Sequence, residues 1–200
     1  MAFEALKQTL EQNGFTVSVF AAASEAAAYL NRVIDNTTVG CGGSMTLREL
    51  GLYQSLGAHN TLYYHGLSDD PQEAQRQAMT AEVYLLSANG IAEDTGEIIS
   101  IDGTGNRVSS TLFGHRKVYF VAGRNKVSPD FAAALHRVRN VVAPKNAQRL
   151  GRKTPCAKNA DRCYNCNSPE RICRALTVLW NKPTGIPYVE VVLVNEALGL

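Results

Sequence analysis

The chain has 200 residues, of which 45% are hydrophobic and 19% are charged, an ordinary globular composition without a low-complexity tract. Its formal net charge of +2 is too close to neutral for a nucleic-acid or general membrane-surface role. The N-terminal stretch MAFEALKQTLEQNGF carries acidic residues and lacks the basic and apolar regions of a signal peptide. No apolar run approaches the roughly 18 residues that span a bilayer. We therefore expect a cytoplasmic protein without a transmembrane segment.

Short β-rich runs alternate with helical patterns along the chain. The predicted strands are Thr16–Phe20, Thr37–Gly40, Thr61–Tyr64, Val83–Ser87, Ile98–Asp102, Val118–Ala122 and Tyr188–Val194. The predicted helices include Ser24–Val33, Thr46–Leu56, Pro71–Met79 and Asp130–Asn140. This alternation predicts an α/β fold in which a mostly parallel sheet is flanked by helices, in a single domain over residues 1–200.

A glycine-rich loop, VGCGGSMT at positions 39–46, lies between a predicted strand and a predicted helix. Glycines before a helix allow main-chain N–H groups to approach an anion, and the helix dipole adds to the attraction. The spacing matches neither the Walker pattern nor G-x-G-x-x-G, so it does not favour a nucleotide. The alternative is a tight turn that simply needs glycine. The anion-binding residues predicted in this loop are Gly40, Gly42, Gly43, Ser44 and Thr46.

Further predictions concern the start and end of the following helix and the cysteine of this loop. Thr46 and Glu49 fit a capping box at the start of the following helix, and Gly57 is its expected end. Cys41 is interpreted as a small buried residue, although a thiol near a helix N-terminus can also act as a nucleophile.

Acidic residues occur in two loops that follow predicted strands, SANGIAEDTGE at positions 87–97 and IDGTGNR at positions 101–107. Ligand sites in open α/β sheets gather outside the carboxyl ends of the strands, where a carboxylate can act as a general base or a nucleophile. The alternative is that the DTG and DG sequences are hairpin turns. The candidate acids are Glu93, Asp94, Glu97 and Asp102; Arg107 is their counter-charge, and Asn106, Arg107 and Lys126 are further predicted substrate-binding residues. The four histidines are scattered, and we expect structural or surface roles for His59, His65, His115 and His136.

Four cysteines lie within 18 residues in the spacing C-x6-C-x2-C-x6-C: Cys156, Cys163, Cys166 and Cys173. In a chain without a signal peptide, this grouping indicates a metal rather than disulfides. Spacing alone leaves an iron–sulfur cluster and zinc equally open. Residues 150–175 are therefore predicted to form a cysteine-rich metal-binding insertion, which we call the cysteine segment.

The charge and capping patterns around the cysteine segment add to this prediction. From Arg149 to Arg174 there are seven basic and two acidic residues, a net +5 that would offset the charge of four thiolates around a metal. Ser168 followed by Pro169 is typical of a helix start and would place Cys173 near the first turn. The buried face expected for that helix consists of Ile172, Leu176, Leu179 and Trp180.

Several motifs together resemble those of the lactate-utilisation (LUD) domain family over most of residues 37–200. They are VGCGGSMTLRELG, SANGIAEDTGEI, IDGTGNRV, VAGRNKV, RVRNVVAPKNAQRL and PC…C..C.SPERIC. The resemblance implies a ribose-5-phosphate isomerase/CoA-transferase-like fold. It also implies a role in bacterial oxidation of lactate to pyruvate alongside iron–sulfur partner proteins, which favours an iron–sulfur cluster over zinc. No catalytic residue is carried over, because the acid of CoA-transferases has no unambiguous match here.

Three functional hypotheses follow. The first is a protein of lactate or related hydroxy-acid oxidation that binds a small anionic metabolite and an iron–sulfur cluster. The second is an isomerase or acyl-CoA-transferase-type enzyme with a structural zinc, in which Asp94 or Glu97 is the base or nucleophile while Arg107 and Lys126 anchor the substrate. The third is a non-catalytic module whose basic cysteine segment docks an acidic partner.

Overall fold

The computed structural model describes residues 3–200 and contains two sheets. The strands are β1 (Thr16–Phe20), β2 (Thr38–Cys41), β3 (Thr61–Tyr64), β4 (Val83–Leu86), β5 (Gly90–Ala92), β6 (Ile98–Asp102), β7 (Lys117–Gly123), β8 (Val127–Ser128), β9 (Ala175–Leu179) and β10 (Tyr188–Val194). The central sheet has the order β1-β10-β7-β4-β2-β3, and all of its paired strands are parallel. The predicted α/β fold with a mostly parallel sheet is confirmed.

The second sheet, with the order β8-β5-β6-β9, was not predicted. Strand β6 pairs antiparallel with both β5 and β9, whereas β5 pairs parallel with β8. The sequence DTG at positions 94–96 turns the chain between β5 and β6, and Gly96 adopts a left-handed conformation there (φ +77°). The alternative interpretation of DTG as a hairpin turn is therefore correct.

Nine helices lie on and around the sheets within residues 3–200. They are α1 (Glu4–Gln12), α2 (Ala23–Val33), α3 (Met45–Glu49), α4 (Leu52–Gly57), α5 (Pro71–Ala78), α6 (Asn106–Ser110), α7 (Phe131–Arg137), α8 (Ala143–Arg149) and α9 (Pro155–Asn159). A π-helical turn, Val138–Val142, joins α7 to α8, and a 3-10 turn, Arg124–Lys126, follows β7. None of these helices is long and apolar enough to cross a lipid bilayer.

Apolar side chains cover both faces of the central sheet. On one face, α1 contributes Leu6 and Leu10 to a cluster that contains Phe120 of the central sheet and Ile98 of the second sheet. On the other face, α2 and α4 pack on the central strands, where Leu30 is fully buried. A fully buried side chain of this size contributes about 2–3 kcal/mol, so these helices are held by packing rather than by intrinsic helix propensity.

The segment after β2 differs from its prediction. The expected helix Thr46–Leu56 is two short helices, α3 and α4, interrupted at Gly51, which has a left-handed backbone (φ +65°). The capping box is also wrong, because the hydroxyl of Ser44, not Thr46, accepts the Leu47 N–H at 3.3 Å. The carboxylate of Glu49 instead accepts the Gly199 N–H at 2.7 Å, far along the chain.

The helix predicted after Ser168 is wrong as well. The chain has no regular structure from Pro169 to Arg174 and then forms β9, which pairs with β6 and is an edge strand of the second sheet. Leu176 and Trp180 are therefore 46% and 69% exposed instead of forming a buried helical face. The β-branched pair Thr177 and Val178 favours a strand, and pairing with β6 outweighs the local capping signal.

Candidate functional site

A cleft of about 480 Å³ opens at the carboxyl ends of the parallel strands. Loops after β2, β3, β4 and β7 line it, together with α3, Leu200 downstream of β10, the loop between β6 and α6, and one side of α8. Ligand sites of open α/β sheets lie at this edge. The lining residues used below are Gly43, Ser44, Thr46, Arg48, His65, Ser87, Asn89, Asp102, Asn106, Arg107, Lys126, Arg149, Arg152 and Leu200.

The charges that line this cleft are predominantly positive. Its cationic side chains are Arg48, Arg107, Lys126, Arg149 and Arg152, and Asp102 is the one acidic residue among its lining residues. Opposite charge attracts an anion more strongly in such a partly enclosed space than on an open surface, because water screens it less. We call this site the cationic cleft.

Asp102 is buried and is engaged by the main chain. Its two carboxylate oxygens accept the N–H groups of Gly103, Thr104, Arg107 and Val108 at 2.7–3.4 Å. The Arg107 Nε atom lies 3.9 Å from Oδ2. These bonds close the loop between β6 and α6, so the carboxylate shapes the cleft wall rather than presenting a free base.

Arg107 is held in a defined position in the cleft wall. Its Nη2 atom donates to the Ile101 carbonyl at 2.7 Å, and its side chain is only 14% exposed. The aliphatic part of Arg107 crosses the main chain at Gly42, where a Cβ atom would overlap Cγ and Cδ of the arginine. Glycine at position 42 is therefore required by the approach of Arg107.

The three loop glycines have different surroundings. A Cβ at Gly40 would overlap the Ala78 carbonyl of α5, so Gly40 permits close packing of β2. Neither Gly40 nor Gly42 lines the cationic cleft, whereas Gly43, Ser44 and Thr46 do. Close packing thus accounts for glycine at positions 40 and 42, whereas Gly43 lines the cleft and its part in anion binding stays a prediction.

The loop after β2 is rigidly held. The Tyr53 hydroxyl donates to the Gly42 carbonyl at 2.9 Å and accepts the Ser44 N–H at 2.8 Å, and its ring stacks on Tyr64 with centroids 3.9 Å apart. The Thr46 hydroxyl donates to the Leu198 carbonyl at 3.3 Å. Because α3 has only five residues, its dipole is a weak source of attraction. The cationic side chains therefore dominate the electrostatics of the cleft.

Lys126 is the most deeply buried cation of the cleft, with 4% of its surface exposed. Its Nζ atom donates to the main-chain oxygen of Leu200 at 2.8 Å. Burial, together with the charges of Arg137 and Arg107, lowers the pKa of Lys126 to about 7, whereas Glu49 opposes the change. The buried amine therefore holds its proton less tightly than an exposed lysine does.

His65 also lines the cleft, although a structural or surface role was expected for it. It directly follows β3, and its Nδ1 atom is buried without a hydrogen-bond partner among residues 3–200. Burial lowers the pKa of His65, so the imidazole is neutral at pH 7. The rule that sites lie at strand ends would have identified this residue, as it would Ser87 and Asn89 after β4.

The acids of the β5–β6 turn lie elsewhere. Glu93, Asp94 and Glu97 are not among the residues that line the cationic cleft. The Thr95 hydroxyl hydrogen-bonds to the carboxylates of Asp94 and Glu97, and the Thr95 carbonyl accepts Asn13 Nδ2 at 2.9 Å. The structure thus brings Asp102, Asn106, Arg107 and Lys126 to one site and leaves Asp94 and Glu97 beside α1.

The fifth cysteine, Cys41, is 2% exposed in β2. Burial raises the pKa of its thiol well above the usual range, which removes the thiolate that a nucleophile needs. Its interpretation as a small buried residue agrees with this position.

The cysteine segment offers sulfur donors, but they are not assembled around a common point. No group of three or more metal-binding side chains in a ligating arrangement occurs within residues 3–200. Arg171 Nη2 instead donates to Cys173 Sγ at 3.4 Å. The pKa of Arg171 is raised, mainly by this hydrogen bond and then by charge on Cys173, Cys166 and Cys163. The donor chemistry suits zinc or an iron–sulfur cluster, whereas the arrangement places a guanidinium beside the thiols.

Comparison with known proteins identifies the family. A family model described as the LUD domain matches residues 3–194. The chain belongs to the LUD domain family. The resemblance inferred from the motifs is thereby confirmed, and with it a lactate-utilisation-like character.

A solved structure has a fold similar to that of this chain. A DUF162 family protein from Deinococcus radiodurans is similar to this chain with a TM-score of 0.57 and 13% identity, over 95% of this chain and 94% of that one. At this identity the similarity concerns the fold alone. None of the curated proteins matches the sequence.

Proposed function

We propose that this LUD domain protein binds a small carboxylate-bearing metabolite of lactate or related hydroxy-acid oxidation in the cationic cleft. The observation that carries the proposal is the convergence of four arginines and Lys126 on one cleft whose single lining carboxylate is already engaged by main-chain N–H groups. Family membership supports the class of metabolite. The volume of about 480 Å³ lies in the usual range of small-molecule sites and leaves room for acids longer than lactate.

Arg107 is the proposed anchor for the carboxylate. Its contacts with Ile101 and Asp102 fix the plane of the guanidinium before a ligand arrives, which reduces the entropy lost on binding. A guanidinium pairs with a carboxylate through two parallel hydrogen bonds, and such charge-assisted bonds are about twice as strong as neutral ones. Arg149 is a second anchor, because Asn146 Oδ1 accepts hydrogen bonds from its Nε and Nη2 atoms.

Calorimetric titration of the whole chain with lactate, pyruvate and phosphate tests this proposal. We expect Arg107→Gln to weaken carboxylate binding by about 10- to 100-fold, the equivalent of about 1.5–3 kcal/mol for a charged hydrogen bond. Arg116→Gln is the matched control, because Arg116 is exposed beside Glu82 and lies outside the cleft. Equal affinity of the two variants for every ligand would contradict the proposal.

We also propose that the cysteine segment binds a metal, either an iron–sulfur cluster or zinc. Four thiols in a basic, polar segment support this, and binding requires Arg171 to withdraw from Cys173. Metal analysis and a visible spectrum of protein purified without oxygen test it. A brown protein with absorption near ~400 nm would indicate iron and sulfide, and one zinc per chain would indicate zinc. A protein that contains neither iron nor zinc in stoichiometric amount would contradict the proposal.

A further inference from the structure

His65 presents an imidazole nitrogen without a protein partner to the cationic cleft. Its Nε2 and Cε1 atoms would lie 3.7 Å from a Cβ at Gly43, so this edge of the ring faces the loop that lines the cleft. Nε2 makes no hydrogen bond within residues 3–200 and, unlike the buried Nδ1, it is accessible to solvent. A polar atom in this position can bond to a ligand and fix its orientation.

The ring of His65 is held in place by aromatic packing. It meets the Tyr64 ring edge to face with centroids 4.9 Å apart, and Tyr64 stacks on Tyr53. The Tyr53 hydroxyl is in turn hydrogen-bonded to the loop after β2. Because the imidazole is already ordered, a hydrogen bond from it to a ligand costs little side-chain entropy.

Three hydroxyl groups of the cleft differ from His65 because they already have protein partners. The Ser44 hydroxyl accepts a main-chain N–H at 3.3 Å. The hydroxyls of Thr46 and Ser87 donate to main-chain carbonyls at 3.3 and 3.2 Å. A ligand must compete with these bonds to use the hydroxyls, whereas it meets no competing protein group at His65 Nε2.

The anchor Arg107 and the imidazole of His65 approach adjacent residues of one loop. Arg107 crosses the main chain at Gly42, and the His65 ring faces Gly43, whose Cα lies about 3.8 Å from that of Gly42. We propose that His65 selects acids that carry an oxygen on carbon 2, through a hydrogen bond between Nε2 and that oxygen. Carbon 2 is bonded directly to the carboxylate, so its oxygen is the first group beyond the anchor. The inference rests on the proposed function, because Arg107 must hold the carboxylate.

The same imidazole suits both a hydroxyl and an oxo group on carbon 2. Nδ1 has no hydrogen-bond partner within residues 3–200, so no protein contact fixes which ring nitrogen carries the proton. Nε2 of His65 can therefore donate to a 2-oxo group, and it can donate to or accept from a 2-hydroxyl group. A 2-hydroxy acid and the corresponding 2-oxo acid both gain this bond, whereas an unsubstituted acid does not.

Calorimetric titration of the whole chain with lactate, pyruvate and propionate tests the selection, because propionate is lactate without its 2-oxygen. We expect the unmodified chain to bind lactate and pyruvate about 5- to 10-fold more tightly than propionate, the equivalent of one hydrogen bond. His65→Leu should reduce this ratio to about 1. His136→Leu is the matched control and should keep the ratio, because His136 is exposed on α7 and lies outside the cleft.

A second measurement uses the unmodified chain and does not depend on the folding of His65→Leu. In nitrogen NMR of the imidazole groups, the Nε2 resonance of His65 should shift more with lactate than with propionate. Equal shifts, equal affinities for all three acids, or a preference for lactate that persists in His65→Leu would refute the selection and leave anion binding intact. If none of the acids binds, the proposed function itself fails.

Discussion

We assign the Asp102 carboxylate a structural rather than a catalytic role. Replacement of Asp102 by alanine tests this assignment quantitatively. Of the four N–H groups that donate to it, that of Thr104 belongs to an exposed residue, where water can replace the carboxylate, and those of Gly103 and Arg107 belong to half-buried residues. That of Val108 is buried. At about 1.5 kcal/mol for the buried charged bond and about half as much for each half-buried one, Asp102→Ala should lower the free energy of unfolding by about 3 kcal/mol.

Urea unfolding followed by circular dichroism measures this loss, with Asp94→Ala in the exposed β5–β6 turn as the control. We expect the control to change stability by less than about 0.5 kcal/mol. Because Asp102 also positions Arg107, carboxylate affinity should fall with stability in Asp102→Ala. An Asp102→Ala protein as stable as the control would refute the structural role and restore Asp102 as a candidate base.

Two further predictions concern Lys126 and Gly42. The folded chain releases the Lys126 proton near pH 7 and the unfolded chain near pH 10.5, so the unfolded state binds more protons between these values. From pH 7 to pH 10, the unfolding free energy of the unmodified chain should therefore rise relative to that of Lys126→Met, by up to about 1.4 kcal/mol per pH unit. If urea unfolding shows the same difference between the two proteins at every pH, the prediction is wrong. Gly42→Ala should displace Arg107 and weaken carboxylate binding by calorimetry, whereas Gly51→Ala, which meets no neighbouring atoms, should cost about 1–2 kcal/mol of stability through left-handed strain and leave affinity unchanged. Equal affinities of the two alanine variants would contradict the role of Gly42.

The central sheet was largely predictable because its strands carry their own signals. The β-branched runs Thr16–Phe20, at the edge of the sheet, and Tyr188–Val194, buried inside it, are strands with the predicted bounds. The second sheet was missed because β5 and β8 have only three and two residues, too few for a period to emerge. The helix expected after Ser168 failed because a capping pattern is local, whereas pairing with β6 is a tertiary feature.

The cleft was predictable only in part. Asp102, Asn106 and Lys126 followed from their positions after strands, and they do lie together. Arg149 and Arg152 come from the end of α8 and the residues beyond it, so only the folded chain brings them to the cleft. Asp94 and Glu97 were chosen because they are acidic and near a strand, but their strand belongs to the second sheet. The relation to isomerases and CoA-transferases stays a prediction.

A crystal structure of the protein with pyruvate or lactate bound tests the central claim most directly. We expect the ligand carboxylate within hydrogen-bond distance of the Arg107 guanidinium, inside the cleft at the carboxyl ends of the parallel strands. Ligand bound at another surface while the cleft contains only water would contradict it.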